Sequence, residues 1–201
     1  WVVTAVNTGL VYYFYHDGSR REDIILDYIK GYRGAFQSDG FSPYRKMAKW
    51  LLRLACFQHV KRKLLDCGDD FDTKVIVRLA NYIYHQDHKH IIGVDGWTER
   101  DHYKWRQQYA LPVMRIIRKK LERMAADKSL LPKTEKYDAV HYMLNEWDGL
   151  MNIFTRGDYH LDNNLVERLN RYISLSRRNS LFFGSHTGAR RAAMFYSLAC
   201  S

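Results

Sequence analysis

The distribution of apolar and polar residues at the beginning of the chain predicts a β-hairpin. Residues 1–7 and 10–16 are rich in β-branched and aromatic residues, and Thr8-Gly9 between them is an abrupt turn signal. Apolar residues then recur with helical spacing through residues 20–29. This order predicts a hairpin followed by a helix that packs on the sheet.

Strands and helices continue to alternate up to about residue 66. The pattern predicts a short strand at 35–38 that ends at Asp39-Gly40, a short helix at 44–50, a buried strand at 51–57 and the start of another helix at 59–65. Strands that alternate with helices favour a mixed α/β sheet.

The pattern changes in residues 67–160, where apolar residues recur only with helical spacing. Pro112 and Pro132 are expected at helix boundaries in this block. From residue 161 a helix around Glu167 is followed by the polar run Arg177-Arg178-Asn179, a glycine-punctuated stretch and a closing helix at 189–200. The chain thus predicts an α/β core, formed by residues 1–66 and 161–201 and interrupted by an all-helical insertion of residues 67–160.

The helix around Glu167 carries a single acid among amides and arginines. With Asp162 as the N-cap, helical spacing places a polar set on one side and an apolar set towards the core. The polar set is Asn163, Asn164, Glu167 and Arg171, and the apolar set is Leu165, Leu169 and Ile173. Glu167 is therefore expected to face the solvent or a ligand.

Composition limits the function classes. The chain has 201 residues, of which 46% are hydrophobic, so it can bury a full core. Its net charge of +10 and its pI near 9.5 favour polyanionic partners, although a merely basic soluble protein is the alternative. No apolar run approaches the roughly 18 residues of a membrane span. Cys56, Cys67 and Cys200 are scattered, which favours reduced thiols in the cytoplasm.

Asp39 and Glu167 are the candidate metal ligands. Asp39 follows a short strand, so its carboxylate would protrude at a sheet edge where α/β proteins place ligands. A turn or cap role is the alternative for an isolated aspartate at a strand end. A second carboxylate on a helix able to pack beside that strand favours a shared divalent cation, because two unshielded carboxylates would repel. Oxygen ligands favour Mg²⁺ or Mn²⁺ and permit a two-metal site for phosphodiester chemistry.

Basic residues cluster near both acids. Six arginines accompany Glu167 in the last 39 residues, namely Arg168, Arg171, Arg177, Arg178, Arg190 and Arg191. A second cluster contains His59, Lys61, Arg62 and Lys63 directly after a predicted strand. These side chains suit phosphate contacts, with a solvated surface as the alternative. A third basic stretch, residues 100–123, is interleaved with aromatic residues that suit nucleic acid or the packing of the insertion equally well.

Other catalytic motifs are not found. The sequence has no glycine-rich phosphate loop, no nucleophile elbow and no H-E-x-x-H, so it gives little support to nucleotide hydrolysis or to serine and zinc hydrolase chemistry. His85, His88 and His90 are interpreted as part of a polar loop rather than a metal site, because no firmly placed carboxylate accompanies them.

Four blocks of the chain resemble the catalytic core of the insertion-sequence 66 family of bacterial transposases. The blocks are Phe36-Gln37-Ser38-Asp39-Gly40-Phe41-x-x-Tyr44, Cys56-Phe57-Gln58-His59-Val60-Lys61-Arg62-Lys63, Asp162-Asn163-Asn164-x-x-Glu167-Arg168, and Ser176-Arg177-Arg178-Asn179-Ser180-Leu181-Phe182-x-Gly184-Ser185 with its continuation to Leu198. The resemblance implies a ribonuclease-H-like fold and a DDE triad in which Asp39 is the second acid and Glu167 the third. It places the first acid on a strand upstream of Trp1, so this chain by itself is expected to be inactive.

The resemblance also implies the biology. Such enzymes bind two Mg²⁺ or Mn²⁺ ions, hydrolyse a DNA strand at the end of the mobile element and use the freed 3′-hydroxyl to attack target DNA. Their partners are element ends and target DNA, with a homodimer expected on paired ends, in the bacterial cytoplasm at the nucleoid. Two alternatives stay open: a non-catalytic DNA-binding remnant, and a ribonuclease-H-like nuclease without strand transfer.

Overall fold

A computed structural model describes residues 1–17, 21–68, 70–180 and 183–201, and of Arg177 and Ser180 it describes the backbone alone. By their packing, the residues form two compact units. The first combines residues 1–32 with 163–201, and the second contains residues 33–162. The predicted mixed α/β class is confirmed, because strands and helices both contribute to the described parts of the chain.

The first unit contains the predicted hairpin. Strands β1 (Val2–Ala5) and β2 (Leu10–Tyr13) pair antiparallel, with Val2 opposite Tyr13 and Ala5 opposite Leu10. Gly9 in the connecting turn has a φ of 72°, which glycine adopts without steric cost. Helix α1 (Glu22–Ile29) follows, and the predicted helix start at Arg20 lies outside the described residues.

The second unit contains a parallel strand pair. Strand β3 (Ala35–Ser38) is followed by α2 (Ser42–Lys46) and a 3₁₀ turn (Met47–Lys49), and β4 (Leu52–Ala55) then pairs with β3 in parallel. Helix α3 (Phe57–Asp66) begins directly after β4. In the described residues the strands therefore form two separate two-stranded sheets.

The middle of the chain is helical, as predicted. Its elements are α4 (Phe71–Asp87), α5 (Glu99–Trp105), a π-helical turn (Arg106–Ala110), α6 (Leu111–Ala126), α7 (Glu135–Asn145) and α8 (Trp147–Ile153). The side chains of Asp70, Thr98 and Thr134 cap the starts of α4, α5 and α7. These helices bury a continuous apolar core against β4 and α3.

The predicted helix boundary at Pro112 is confirmed, because α6 begins at Leu111. The chain stays helical from α5 through the π turn into α6, and Pro112 lies in the first turn of α6. Proline lacks an N–H and crowds the carbonyl four residues before it, and the wider π turn immediately upstream accommodates this defect. Pro132 also precedes a helix, because α7 begins at Glu135.

The last two helices differ in detail from the prediction. Helix α9 (Asn164–Ser180) begins two residues after Asp162 and runs through Arg178 and Asn179, so these polar residues lie on a helix rather than after it. Leu165 is 40% exposed, and its predicted core position is wrong, whereas Leu169 is buried. Helix α10 (His186–Cys200) closes the chain, and the Ser185 side chain caps its start.

Helix α10 covers the edge of the hairpin. The Ser201 and Ser197 hydroxyls accept hydrogen bonds from the backbone N–H groups of Val11 (2.9 Å) and Tyr13 (2.8 Å). Such contacts satisfy backbone groups of an edge strand that would otherwise need water or another strand. Across the described residues, none of the helices is both long and apolar enough to cross a lipid bilayer.

The histidine-rich segment is mostly helical rather than a loop. His85 lies in the last turn of α4, and the His88 Nδ1 atom lies 2.8 Å from the Tyr84 carbonyl oxygen. The His90 ring stacks on Trp97, with 4.1 Å between ring centroids. Ile83 and Asp87 are both buried and lie four residues apart, so the same face of α4 stays in the core up to the end of the helix.

Candidate active site

Asp39 lies at the carboxyl edge of the parallel strand pair. The last paired residues of β3 and β4 are Ser38 and Ala55, and Asp39 follows Ser38 directly. The N–H of Cys56 donates to the Ser38 carbonyl at 3.0 Å, so the ladder continues to the point where α3 begins. Ligands of α/β sheets bind at this edge, where strand ends project functional side chains.

Local hydrogen bonds fix the turn at Asp39. The half-buried Asp39 side chain accepts the Phe41 N–H through Oδ1 at 3.1 Å, which is an Asx-type turn. The Asp39 carbonyl accepts from the Ser38 hydroxyl and from Arg53 Nη2, both at 3.1 Å. The main chain that carries this carboxylate is therefore held from two sides.

Gly40 allows close packing beside Asp39. A Cβ atom at Gly40 would lie 1.9 Å from the Tyr142 hydroxyl oxygen and 2.5 Å from its Cζ atom. Real Cβ atoms do not approach other atoms so closely, so a side chain at this position would force Tyr142 or the turn to move. The glycine belongs to the turn signal in the sequence, but its contact with the distant Tyr142 had no sequence signal.

Two tyrosines near Asp39 keep their protons. Burial, and then the Asp39 charge, raise the pKa of Tyr44 to about 12. The pKa of Tyr142 is also raised to about 12, first by burial and then by the charges of Glu146 and Asp39. Both phenols are thus neutral hydrogen-bond donors at physiological pH.

A cluster of charged side chains, mostly buried, supports the turn at Asp39. Arg53 on β4 is 5% exposed and Glu146, between α7 and α8, is 1% exposed. Arg53 Nη2 donates to the Glu146 carboxylate, and Arg45 Nε donates to its other oxygen at 2.9 Å. Sequence reasoning missed these residues, because Arg53 and Glu146 are 93 positions apart and neither lies in a recognisable motif.

The predicted basic cluster lies on α3, but two of its side chains pack on tyrosines. Lys61 Nζ lies 4.6 Å from the Tyr84 ring centroid, and Lys63 Nζ lies 5.6 Å from that of Tyr142. Burial lowers the pKa of Lys61, which the nearby Asp162 partly opposes. Arg62 is exposed.

His59 lies in the first turn of α3, half-buried beside the same strand edge. The chain returns to this edge after the helical middle of the sequence, since the Phe57 N–H donates to the Leu161 carbonyl at 2.9 Å. The Gln37 side chain donates to the His160 carbonyl at 2.7 Å. The residues that lead to Asp162 are therefore fastened to both β3 and α3.

Glu167 occupies the first turn of α9 in the first unit. It is half-buried, and it lies two positions before the buried Leu169, on the opposite side of the helix. The Tyr13 hydroxyl donates to the Leu169 carbonyl at 2.8 Å and ties this part of α9 to the hairpin. Asp39 and Glu167 belong to different units, and their shared metal site stays a prediction.

The predicted phosphate-binding residues near Glu167 are mostly accessible. Exposed side chains are Asn164, Arg168, Arg171, Arg178, Arg190 and Arg191, and Asn163 is half-buried. Arg190 Nη2 is 2.6 Å from Asp17 Oδ1, so this guanidinium is engaged in an exposed ion pair. The side chain of Arg177 lies outside the described part of the structure.

Comparison with known proteins identifies the family. The family model described as "Transposase IS66 family" matches residues 1–191. Two similar curated proteins of Sinorhizobium fredii are "Uncharacterized protein y4jD", 29% identical over 85% of this chain and 34% of its own length, and "Uncharacterized protein y4qI", 28% identical over 94% and 36%. No solved structure matches. The chain spans about a third of the length of these relatives, and it belongs to the IS66 family of transposases.

Proposed function

We propose that the intact protein is a DDE-type DNA transposase with a ribonuclease-H-like core, in which Asp39 and Glu167 bind divalent metal. Membership of the IS66 transposase family supports transposition. The assignment of Asp39 as a metal ligand rests on its position at the end of a short strand, at the carboxyl edge of the β3–β4 pair.

The donor set fits Mg²⁺ or Mn²⁺. Both proposed ligands are carboxylates, which these hard cations prefer. Asp39 is half-buried with one oxygen held by the Phe41 N–H, which orients the carboxylate. When bound, a pair of such ions lowers the pKa of water and stabilises the charge that develops on phosphodiester oxygens.

The chain's own residues position the acids and bind the DNA. Arg53 and Tyr142 hold the main chain around Asp39, and Tyr13 holds the helix that carries Glu167. The phosphate contacts are assigned to His59, Lys61, Arg62, Lys63, Asn163, Asn164, Arg168, Arg171, Arg177, Arg178, Arg190 and Arg191. Lys61 and Lys63 act chiefly through positive charge near the strand edge, because their ammonium groups lie over tyrosine rings.

The proposal extends to the organisation of the whole protein. Residues 1–66 and 161–201 form the catalytic core and residues 67–160 its helical insertion, and the protein acts as a homodimer on paired element ends at the bacterial nucleoid. The resemblance places the first acid of the triad outside residues 1–201, so activity is assigned to the full-length protein.

The test is strand cleavage and joining by full-length protein on element-end DNA with Mg²⁺. Asp39→Asn and Glu167→Gln should each lower cleavage by at least about 1000-fold, because each removes a ligand charge where the transition state needs it. Glu122→Gln is the matched control, since this exposed acid lies on α6 with Arg118 as its partner. Full cleavage by Glu167→Gln would contradict the proposal. Cleavage without joining would favour a nuclease, and DNA binding without cleavage a remnant.

A further inference from the structure

The helical insertion contains one long helical segment whose two halves are joined by the π turn. Helix α5, residues 106–110 and α6 follow one another without a break. At 1.5 Å per residue the segment is about 40 Å long. The segment contains the third basic stretch of the sequence, residues 100–123, which is not part of the proposed active site.

The π turn aligns the buried faces of α5 and α6. His102, Arg106, Met114, Ile117 and Leu121 are all buried. In an unbroken α-helix, His102 and Met114 would be rotated by about 120° from each other, because each residue turns the helix by about 100°. The extra residue of a π turn removes about 100° of this rotation. One continuous face can therefore pack into the core.

The same alignment gathers cations on the opposite face. Arg100, Lys104, Arg115, Lys119 and Arg123 are exposed, and helical rotation with the π turn places them within an arc of about 80°. We call these five residues the basic ridge. Without the π turn they would spread over about 140°. The turn that aligns the buried residues therefore also brings the exposed cations onto one face.

Among the described residues, the other cations of the segment form ion pairs with acids, and the five ridge residues form none. Arg106 is buried against Asp87, Arg118 Nε is 2.6 Å from Glu122, and Lys120 Nζ is 2.8 Å from Asp72. In the ranges that the structure describes, no ion pair joins a ridge residue to an acid within hydrogen-bonding distance.

The acids beside the ridge are engaged elsewhere. Glu99 lies 3.3 Å from Arg156, and Asp101 closes the capping box with Thr98. Hydrogen bonds from Thr98, more than the nearby Lys104 and Arg100, lower the pKa of Asp101. The ridge therefore presents a surface of uncompensated positive charge, flanked by the exposed rings of Tyr103 and Tyr109.

We propose that the basic ridge binds the phosphate backbone of double-stranded DNA, through residues other than those assigned to the proposed active site. This inference rests on the proposed function for the identity of the polyanion. From Arg100 to Arg123 the ridge extends for about 35 Å, close to one turn of B-DNA. A line of exposed point charges suits the regularly spaced phosphates of a duplex, which bind without base-specific contacts.

Salt-dependent DNA binding tests the ridge in the full-length protein. A labelled duplex of random sequence is titrated between about 50 and 200 mM salt. The ridge variant combines Lys104→Ala, Arg115→Ala and Lys119→Ala. The matched control combines Arg78→Ala, Lys89→Ala and Lys128→Ala, which remove the same charge from exposed positions of the same unit outside the α5–α6 segment. Because all six side chains are exposed, both variants should keep the unfolding midpoint of the parent.

The ridge variant should lower the slope of log affinity against log salt by about 2.7, since each lost phosphate contact contributes about 0.9. The control should change it by less than about 1. Equal slopes for the two variants would overturn the proposal. It would also be overturned if the ridge variant bound the duplex like the parent and lost only its binding to an acidic polypeptide used as competitor. Cleavage of DNA by the unsubstituted protein is scored separately, so a failed ridge and a failed transposase assignment give different results.

Discussion

The carboxylate of Glu146 accepts a hydrogen bond from Arg53, and both residues are almost completely buried. The same guanidinium nitrogen of Arg53 also donates to the carbonyl of Asp39. The acid at the α7–α8 junction thereby supports the turn that projects the proposed metal ligand from β3. This connection gives the helical block a role in positioning the Asp39 turn beyond completing the core.

Breaking this buried pair should be costly. Glu146→Gln leaves the Arg53 and Arg45 guanidinium groups without a counter-charge, and loss of one partner of a buried pair costs about 3–5 kcal/mol. Urea denaturation should show this loss. Glu122→Gln removes an acid from the exposed Arg118 pair and should cost less than about 1 kcal/mol. Equal stabilities of the two variants would show that the buried pair contributes nothing.

Gly40→Ala should damage the Asp39 turn. The new Cβ meets the Tyr142 ring, so we expect a loss of about 1–3 kcal/mol in stability and about 100-fold in cleavage as the carboxylate shifts. Gly31→Ala is the control, because a Cβ there meets nothing within 4 Å.

The contact with Tyr142 can be tested separately by making room for the methyl group. Combining Gly40→Ala with Tyr142→Leu should recover part of the lost cleavage, measured as a double-mutant cycle. Independent effects of the two substitutions would exclude the steric explanation.

Asp87 should stabilise the helical middle of the chain in a pH-dependent way. Burial opposes its ionisation, but hydrogen bonds from His102 and Arg106 outweigh burial and lower the pKa of Asp87. A lowered pKa stabilises the fold above the unfolded value of about 4, and this stabilisation is lost as pH falls through the folded value. Asp87→Asn should therefore cost about 3–5 kcal/mol at about pH 7, where it strands the buried Arg106.

The penalty of Asp87→Asn should be smaller at about pH 3 than at about pH 7, because at low pH the unfolded parent binds a proton that the folded parent, with its lowered Asp87 pKa, takes up less readily. Urea denaturation at both pH values measures this change, with the exposed Asp66→Asn as the control. A penalty that is independent of pH would contradict the ionised Asp87–Arg106 pair.

Tyr13 should anchor the helix that carries Glu167. Its hydroxyl donates to the Leu169 carbonyl, and burial raises the pKa of Tyr13, so the phenol stays protonated. Tyr13→Phe should cost about 1–2 kcal/mol and speed hydrogen exchange in the first turns of α9. The exposed Tyr82→Phe should have neither effect. Unchanged hydrogen exchange in α9 would show that Tyr13 does not position Glu167.

The sequence predicted the ends of an element correctly where residues within that element determine them. Strand β3 ends at Ser38 as predicted, and the closing helix reaches Cys200. Polarity misled the interpretation at Arg178 and Asn179, because an exposed helical turn and a loop have the same composition. Pro112 lies at the start of α6 as predicted, although the π turn before it keeps the chain helical.

Contacts between distant residues had no such signal. The Arg53–Glu146 pair and the packing of Tyr142 on Gly40 depend on how α7 and α8 pack on β4 and its neighbours, which no local pattern encodes. Asp39 and Glu167 could be selected from the sequence because the resemblance to a transposase family singles out those two acids. The residues that support them became visible only through the packing of the chain.

Metal rescue in the full-length protein tests most directly whether Asp39 and Glu167 bind the catalytic metal. A cysteine thiolate is a softer ligand than a carboxylate and accepts Mn²⁺ more readily than Mg²⁺. Asp39→Cys and Glu167→Cys should each be inactive in Mg²⁺ and regain part of the DNA cleavage in Mn²⁺, whereas Asp39→Ala and Glu167→Ala should stay inactive in both. Cleavage in Mg²⁺ by either alanine variant at the level of the parent would contradict the assignment.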